Sequence, residues 1–117
     1  MAELRRLRAE DGPAVLDFEL ANRAYFAGFV SDRGDEFYER FADQHRAMLA
    51  EQEAGLGAFY VLVDEDGSIL GRFNLYDVKD GAAVLGYRVA ERAAGRGVAS
   101  AAVRESCRLA ATRHGLR

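Results

Sequence analysis

Hydrophobic and polar positions follow two different periods in the first half of this chain. Residues 3–8 alternate between polar and apolar side chains, as a short edge strand does. From Gly12 to Phe29, and again from Asp35 to Ala54, apolar side chains recur every three or four residues. That spacing places them on one face of a helix, so the pattern predicts one strand followed by two helices.

Residues with special backbone preferences mark the ends of these helices. Asp11 stands where it can cap the first helix, and Pro13 falls in the first turn, which proline favours. Residues 31–34, with sequence Ser-Asp-Arg-Gly, interrupt the helical pattern, and Gly55 follows the second helix as a stop signal.

The middle of the chain has the pattern of three strands joined by tight turns. Runs rich in β-branched and aromatic residues cover 59–63, 69–78 and 82–90. Asp64-Glu65-Asp66-Gly67 and Lys79-Asp80-Gly81 separate them, and both are turn sequences. Consecutive strands with such short connections pair antiparallel, so we expect a meander.

A last helix is predicted over residues 97–114. Its inward face carries mostly small side chains, which allow a helix to lie close to a sheet: Ala99, Ala102, Val103, Ser106, Leu109 and Ala110. The predicted order is β-α-α-β-β-β-α, which belongs to the α/β (α+β) class with a mostly antiparallel sheet. A length of 117 residues suits one domain spanning 1–117.

Composition excludes several classes of protein. Cys107 is the single cysteine, so no disulfide forms within the chain, and a reducing cytoplasm is expected. One cysteine and two distant histidines predict no metal site. No apolar run is long enough to span a membrane. A formal net charge of −3 argues against a dedicated nucleic-acid binder.

Charge is divided unevenly along the chain. Residues 82–117 contain seven arginines against Glu91 and Glu105, a net charge of +5, which leaves −8 for residues 1–81. A basic end favours a polyphosphate ligand, and an acidic body favours a cationic amine.

The most informative segment joins the last strand to the last helix. Gly95 and Gly97 lie immediately before the helix, whose first N–H groups have no partner within the helix and whose N-terminus is the positive end of its dipole. Glycine lacks a Cβ atom, so an anion can approach the backbone closely. The segment therefore predicts a site for a phosphate or pyrophosphate.

Residues 94–99, Ala-Gly-Arg-Gly-Val-Ala, resemble the pyrophosphate loop of the GNAT superfamily of acetyl-coenzyme A-dependent N-acetyltransferases. Ala94 stands where that loop usually has Gln or Arg; a register shifted to 92–97 restores the Arg. We prefer the first register, because Leu85-Gly86-Tyr87 and Gly95-Arg96-Gly97 then both fall where the RimJ/RimL-like branch carries them. Further similarities are Leu4-Arg5-Arg6-Leu7, Glu10-Asp11, Asn22-Arg23 and Gly71-Arg72-Phe73-Asn74-Leu75.

This resemblance implies an N-acetyltransferase that uses acetyl-coenzyme A as co-substrate and needs no metal. The acetyl group would pass by direct attack to a primary amine, on a peptide N-terminus or a small molecule. The pantetheine arm would lie along the third strand of the meander, and the phosphates at the glycine-rich loop. The implied coenzyme-binding residues are Tyr87, Val89, Ala94, Gly95, Arg96, Gly97, Val98 and Ala99.

The resemblance does not provide a general base. Val84 stands where related sequences carry an acidic residue before Leu-Gly-Tyr. The substitutes are Asn74 and Tyr76 on the preceding strand and Glu19 on the first helix, although we expect Glu19 to be a solvated helix residue. The usual general acid lies on a helix that follows in the family.

In the family, further strands follow a helix such as 97–114. We therefore expect a GNAT fold truncated before its last strands, with Ala82–Ala90 as an open edge. A homodimer, or completion by a missing C-terminal segment, would cover that edge. The alternative function is a non-catalytic coenzyme A-binding or dimerising GNAT-like module. A Rossmann nucleotide-binding domain is disfavoured, because the strands before the loop form a meander and not a βαβ unit.

Overall fold

A four-stranded antiparallel sheet with helices on both faces forms the framework of the protein. The computed structural model describes residues 2–29, 31–79, 82–95 and 97–114. The strands lie side by side in chain order: β1 (Glu3–Arg6), β2 (Ala58–Val63), β3 (Ile69–Lys79) and β4 (Ala82–Val89). The predicted fold class and the antiparallel meander are confirmed.

Among the described residues five α-helices accompany the sheet: α1 (Gly12–Ala21), α2 (Arg23–Ala27), α3 (Asp35–Glu39), α4 (Phe41–Glu53) and α5 (Val98–His114). The two helices predicted before β2 are each broken into two, at Asn22 and at Arg40. Both residues leave the helical region, with φ,ψ of −109°, 9° and −102°, 19°. The periodicity of apolar residues continues through both breaks, so it could not reveal them.

Each face of the sheet carries its own apolar core. On one face α5 packs against β3, and its buried residues Ala102, Leu109 and Ala110 share one apolar cluster with buried residues of β2 and β3. The buried Ser106 hydroxyl donates a hydrogen bond to the Ala102 carbonyl at 2.8 Å. The other face is covered by α1 and α4, and its core includes Val15, Phe18, Phe41, Phe59 and Val61. The small inward face predicted for α5 is confirmed at 102, 106, 109 and 110.

Asp11 joins β1 to the start of α1 and does not cap the helix as predicted. Its side chain makes no capping bond to α1 and accepts two hydrogen bonds from the Arg5 guanidinium, at 2.8 and 2.6 Å. The Arg8 N–H donates a third at 2.8 Å. Burial would raise the pKa of Asp11, but the hydrogen bonds from Arg5 and Arg8 lower it below its usual value.

β4 is an edge strand within the part of the chain that the structure describes. It pairs with β3, in a register that sets Arg72 opposite Arg88, Asn74 opposite Gly86 and Phe73 opposite Tyr87. The side of β4 away from β3 therefore presents N–H and C=O groups that no described strand uses. Such an edge can accept an extended ligand or another strand.

The turn before β2 supplies a test of this packing. A Cβ atom added at Gly57 would lie 2.8 Å from Phe59 Cζ and 3.0 Å from the Leu75 carbonyl oxygen. We expect Gly57→Ala to lower the free energy of unfolding by about 1–3 kcal/mol, because Phe59 is buried and cannot move aside freely. Urea denaturation measures the change.

Gly28→Ala is the matched control. Gly28 has a helical φ of −74°, and an added Cβ would be 3.4 Å from the Tyr25 carbonyl oxygen, an ordinary contact. We expect no loss of stability there, and a gain of up to about 1 kcal/mol from the restricted unfolded chain. Equal effects of the two substitutions would contradict the packing described for Gly57.

Candidate functional site

A buried carboxylate lies beneath two guanidinium groups, between α1 and the sheet. Glu19 on α1 is 0% exposed. Its Oε2 accepts a hydrogen bond from Arg72 Nη1 at 2.8 Å, and its Oε1 lies 3.2 Å from Arg88 Nη1. Arg72 and Arg88 face each other across β3 and β4, so one carboxylate ties α1 to both strands. We call Glu19, Arg72 and Arg88 the buried ion triad.

The expectation that Glu19 is solvated is wrong. Glu19 follows buried Val15 by four residues and therefore lies on the same face of α1, against the sheet. That spacing was the available signal. It was missed because a charged residue on a helix is usually assigned to the solvent face.

The triad carries more positive charge than negative. Arg72 also contacts Met48, with Nη2 3.2 Å from the sulfur, and the Arg88 guanidinium lies over the Phe26 ring at 4.2 Å from its centroid. Burial lowers the pKa of Arg88, and the nearby Glu19 carboxylate opposes that shift. One carboxylate thus faces two guanidiniums, which leaves a net positive charge beside β4.

A cavity of about 370 Å³ opens above the triad, and we call it the acceptor-side cavity after the role proposed for it below. Asn74 and Tyr76 of β3 line it and are joined by a hydrogen bond of 2.8 Å from Asn74 Nδ2 to the Tyr76 hydroxyl. A Cβ atom on Gly86 would lie 3.2 Å from the Tyr76 ring, so glycine there lets the ring lie against β4. The remaining lining residues are Ser31, Arg33, Met48, Arg72, Tyr87 and Arg88.

A second cavity of about 350 Å³, the loop-side cavity, lies next to the first along β4. Tyr87 and Arg88 line both cavities. The rest of its wall is largely apolar and comes from α2, β4 and the loop before α5: Tyr25, Phe26, Phe29, Val89, Ala94 and Gly95. Two neighbouring cavities that share a wall could hold two reactants side by side.

The glycine-rich loop has the backbone geometry that glycine permits. Gly95 and Gly97 have φ of 78° and 73°, and a Cβ atom at either would meet nothing within 4 Å. The Ala101 N–H donates to the Gly97 carbonyl at 3.1 Å and so begins α5. The backbone of the loop therefore borders open space, beside a helix start whose first N–H groups have no partners within the helix.

Asn22, the residue that breaks the first predicted helix, anchors the beginning of this loop. Its side-chain oxygen accepts a hydrogen bond from the Glu91 N–H at 3.0 Å, and its Nδ2 donates to the Phe18 carbonyl at 2.9 Å. The end of α1 is thereby joined to the chain that leaves β4. Residues of α2 and of this loop both line the loop-side cavity.

A comparison with protein families decides what kind of domain carries this geometry. The sequence model of the acetyltransferase (GNAT) domain matches residues 2–117. The chain belongs to this family. Among curated protein sequences nothing matches it significantly.

Solved structures share the GNAT fold. One is the ribosomal-protein-S5-alanine acetyltransferase from Vibrio fischeri, with a TM-score of 0.91 at 18% identity, covering 98% of this chain and 66% of that one. Another is RimL, a ribosomal L7/L12 alpha-N-protein acetyltransferase in complex with coenzyme A. Its TM-score is 0.84 at 19% identity, and the match covers 99% of this chain and 67% of that one. A third is Mycobacterium smegmatis RimJ in complex with CoA-disulfide. Its TM-score is 0.82 at 25% identity, and the match covers 98% of this chain and 58% of that one. The chain spans about two thirds or less of their lengths.

The GNAT chain brings several of the predicted site residues together. Tyr87, Val89, Ala94 and Gly95 line the loop-side cavity, and Gly97 immediately precedes α5. Arg96 lies outside the described residues. Val98 and Ala99 lie in the first turn of α5, and the structure describes their backbone but not their side chains.

The predicted catalytic candidates separate in the structure. Asn74 and Tyr76 line the acceptor-side cavity, whereas Glu19 lies below it, in the buried ion triad, and is not part of its wall. Sequence reasoning missed Arg33 and Arg88 as lining residues. Arg72 stood in a motif quoted for the family, but its contact with Glu19 joins positions 53 apart in the sequence.

Two further findings concern the described residues alone. None of their His, Cys, Asp and Glu side chains form a group of three or more that could hold a metal ion. None of their helices is both long enough and apolar enough to cross a bilayer.

The buried ion triad generates a stability prediction. Glu19→Gln keeps the size of the side chain but leaves the buried Arg72 and the half-buried Arg88 without a counter-charge. We expect the free energy of unfolding to fall by about 3–5 kcal/mol, as when one partner of a buried pair is removed. Glu36→Gln, which breaks an exposed pair with Arg40 at 3.3 Å, should change it by less than about 1 kcal/mol. Similar losses in the two variants, measured by chemical denaturation, would contradict the triad.

Proposed function

We propose that this GNAT chain is an N-acetyltransferase. It transfers an acetyl group from acetyl-coenzyme A to a primary amine, on a peptide N-terminus or a small molecule, by direct attack. The observation that carries the proposal is the loop-side cavity, which extends from the open edge of β4 to the glycine-rich start of α5. Family membership and the similarity to coenzyme A-bound RimL and RimJ structures support it.

The described residues suit the two halves of coenzyme A. Peptide-like amides of a pantetheine arm can hydrogen-bond to the unpaired edge of β4 around Tyr87 and Val89, as an added strand does. The diphosphate fits the first N–H groups of α5 beside Gly95 and Gly97, where no side chain obstructs the backbone. In this proposal, residues 94–99 are the phosphate-binding loop.

The acceptor amine occupies the acceptor-side cavity. Asn74 and Tyr76 offer an amide and a hydroxyl that can orient an amine by hydrogen bonds. Arg33, Arg72 and Arg88 surround the same space. Their positive charge disfavours the ammonium form of the acceptor, so they raise the fraction of amine that is neutral and able to attack.

Transfer needs little further chemistry from the protein. Acetyl-coenzyme A supplies an activated thioester. The amine nitrogen bonds to its carbonyl carbon as the C–S bond breaks, the nitrogen loses one proton to solvent, and the leaving thiolate takes up one proton to become free coenzyme A thiol. Tyr87 and Arg88, which line both cavities, form the junction where the two reactants would meet. Holding two reactants in contact accounts for a large part of the acceleration in such reactions.

One observation favours the non-catalytic alternative. The acceptor-side cavity has no carboxylate or histidine among its described lining residues, so no side chain there is an obvious general base. A thiol-release assay separates the two functions. Acetyl-coenzyme A mixed with a panel of amines releases free coenzyme A thiol if the chain is a transferase, whereas a binding module holds the coenzyme without turnover.

Location and self-association complete the proposal. The exposed Cys107 suits a reducing compartment, so we propose a cytoplasmic protein. The exposed side chains of Val84 and Tyr87 lie on β4, where a second copy of the chain or a further segment would cover the edge.

The coenzyme site is tested by Gly97→Glu. This change puts a side chain and a negative charge into the open space beside the first turn of α5. We expect the affinity for coenzyme A, measured by calorimetry, to fall at least about tenfold through repulsion of the phosphates. Unchanged affinity in a folded variant would remove the assignment.

The control for backbone strain is Gly55→Glu. Gly55 ends α4 with a φ of 79°, close to the 73° of Gly97, and its added Cβ would also meet open space. Both variants therefore force a side chain into a left-handed conformation, at a cost of roughly 1–2 kcal/mol. Only Gly97→Glu should weaken coenzyme A binding.

A further inference from the structure

The acceptor-side cavity is positively charged although the body of the chain is negative. Three guanidiniums line it, from Arg33, Arg72 and Arg88, and its described lining residues include no carboxylate. Glu19 is the one described carboxylate in an ion pair with any of the three, and it binds from below. The cavity therefore has an excess of cationic hydrogen-bond donors over anionic acceptors.

The nearby acidic side chains form their ion pairs with an arginine outside the cavity wall. Asp32 and Asp35 both pair with Arg23, at 2.7 and 2.8 Å, and the same guanidinium lies over the Tyr38 ring. Arg33, between these aspartates in sequence, instead lies over the Phe37 ring at 4.6 Å from its centroid. Among the described residues Arg33 makes no ion pair, so its charge is available to a ligand.

Arg88 also retains donors for a ligand. A guanidinium has five N–H groups, and only Nη1 of Arg88 approaches Glu19. That approach is poorly aligned, because Glu19 Oε1 has no hydrogen bond of acceptable geometry. The Arg88 side chain is only 16% exposed, so water solvates its charge incompletely and a second anion would stabilise it; the same burial lowers the pKa of Arg88.

We propose that the acceptor-side cavity selects amine acceptors that carry a carboxylate, and that Arg33 and Arg88 bind this carboxylate. The proposal rests on the N-acetyltransferase function above and names its substrate class. Acceptors with this chemistry are amino acids and peptides whose free N-terminus is followed by an acidic residue. The planar fork of a guanidinium matches a carboxylate in two parallel hydrogen bonds.

This inference replaces the preference for cationic amines expected from net charge. The charge of −8 over residues 1–81 acts at long range, where salt screens it within about 8–10 Å. Guanidiniums in the cavity wall act in direct contact with the acceptor. The net positive charge remains after one carboxylate is bound, so the acceptor amine is still favoured in its neutral form.

Calorimetry with three matched peptides tests the proposal. The probes are the C-terminal amides of Ala-Asp-Gly, Ala-Asn-Gly and Ala-Lys-Gly, added in the presence of coenzyme A, which has no acetyl group to transfer. We expect the aspartate peptide to bind about tenfold more tightly than the asparagine peptide, the factor for one charge-assisted hydrogen bond. The lysine peptide should bind most weakly.

Substitutions of single arginines test whether the preference for the aspartate peptide comes from the acceptor-side cavity. Arg33→Gln removes an exposed guanidinium outside the buried ion triad, so the fold should survive, and the aspartate preference should fall several-fold. Arg6→Gln makes the same change of charge on β1, at the opposite edge of the sheet, and should leave the preference intact. Arg88→Lys keeps the charge but removes the planar pair of N–H donors. It should weaken binding of the aspartate peptide and leave binding of the asparagine and lysine peptides unchanged.

The possible outcomes separate this inference from the function on which it rests. Equal binding of the three peptides, or preference for lysine, by a chain that binds coenzyme A overturns the substrate class and leaves the transferase proposal intact. A preference that persists in both Arg33→Gln and Arg88→Lys overturns the role of the arginines. Failure to bind coenzyme A, with the peptide preference retained, overturns the transferase proposal instead.

Discussion

A fully buried carboxylate held by two guanidiniums is the interaction on which the rest of this structure depends. A carboxylate at this buried position needs ion-pair partners, and Arg72 and Arg88 can both reach Glu19 only if β3 and β4 pair in the observed register. The contact therefore fixes the position of α1 over the sheet. Because the end of α1 holds Glu91 through Asn22, it also positions the loop before α5.

The same contact gives the two cavities different chemistry. Arg88 pairs with Glu19, lies over the Phe26 ring and, with Tyr87, lines both a polar, cationic cavity and a largely apolar one. A cationic wall suits an amine that must lose its proton and an acceptor that carries a carboxylate. The apolar neighbour, which leads to an open strand edge and a glycine-rich helix start, suits a long ligand that ends in phosphates.

Features that depend on neighbouring residues in the sequence could be predicted. Features that depend on how distant segments pair in the fold could not. The meander and the glycine-rich loop could be predicted because alternation and positive-φ glycines are local signals. Asn22, at the break between α1 and α2, accepts a hydrogen bond from Glu91, 69 residues away, and no local pattern encodes that contact. Glu19 was assigned to solvent because helical periodicity does not show that two distant arginines will face each other above it. The acceptor-side cavity was missed for the same reason, since its walls come from four separate segments.

The central claim is that coenzyme A binds between the open edge of β4 and the start of α5. A crystal structure of the chain with coenzyme A tests it most directly. The account predicts diphosphate oxygens within hydrogen-bond distance of the backbone N–H groups at the start of α5, and the pantetheine arm along β4 beside Tyr87. Coenzyme A bound in the apolar cavity between α1 and α4, beside Leu16 and Leu49, with the edge of β4 left free, would contradict it.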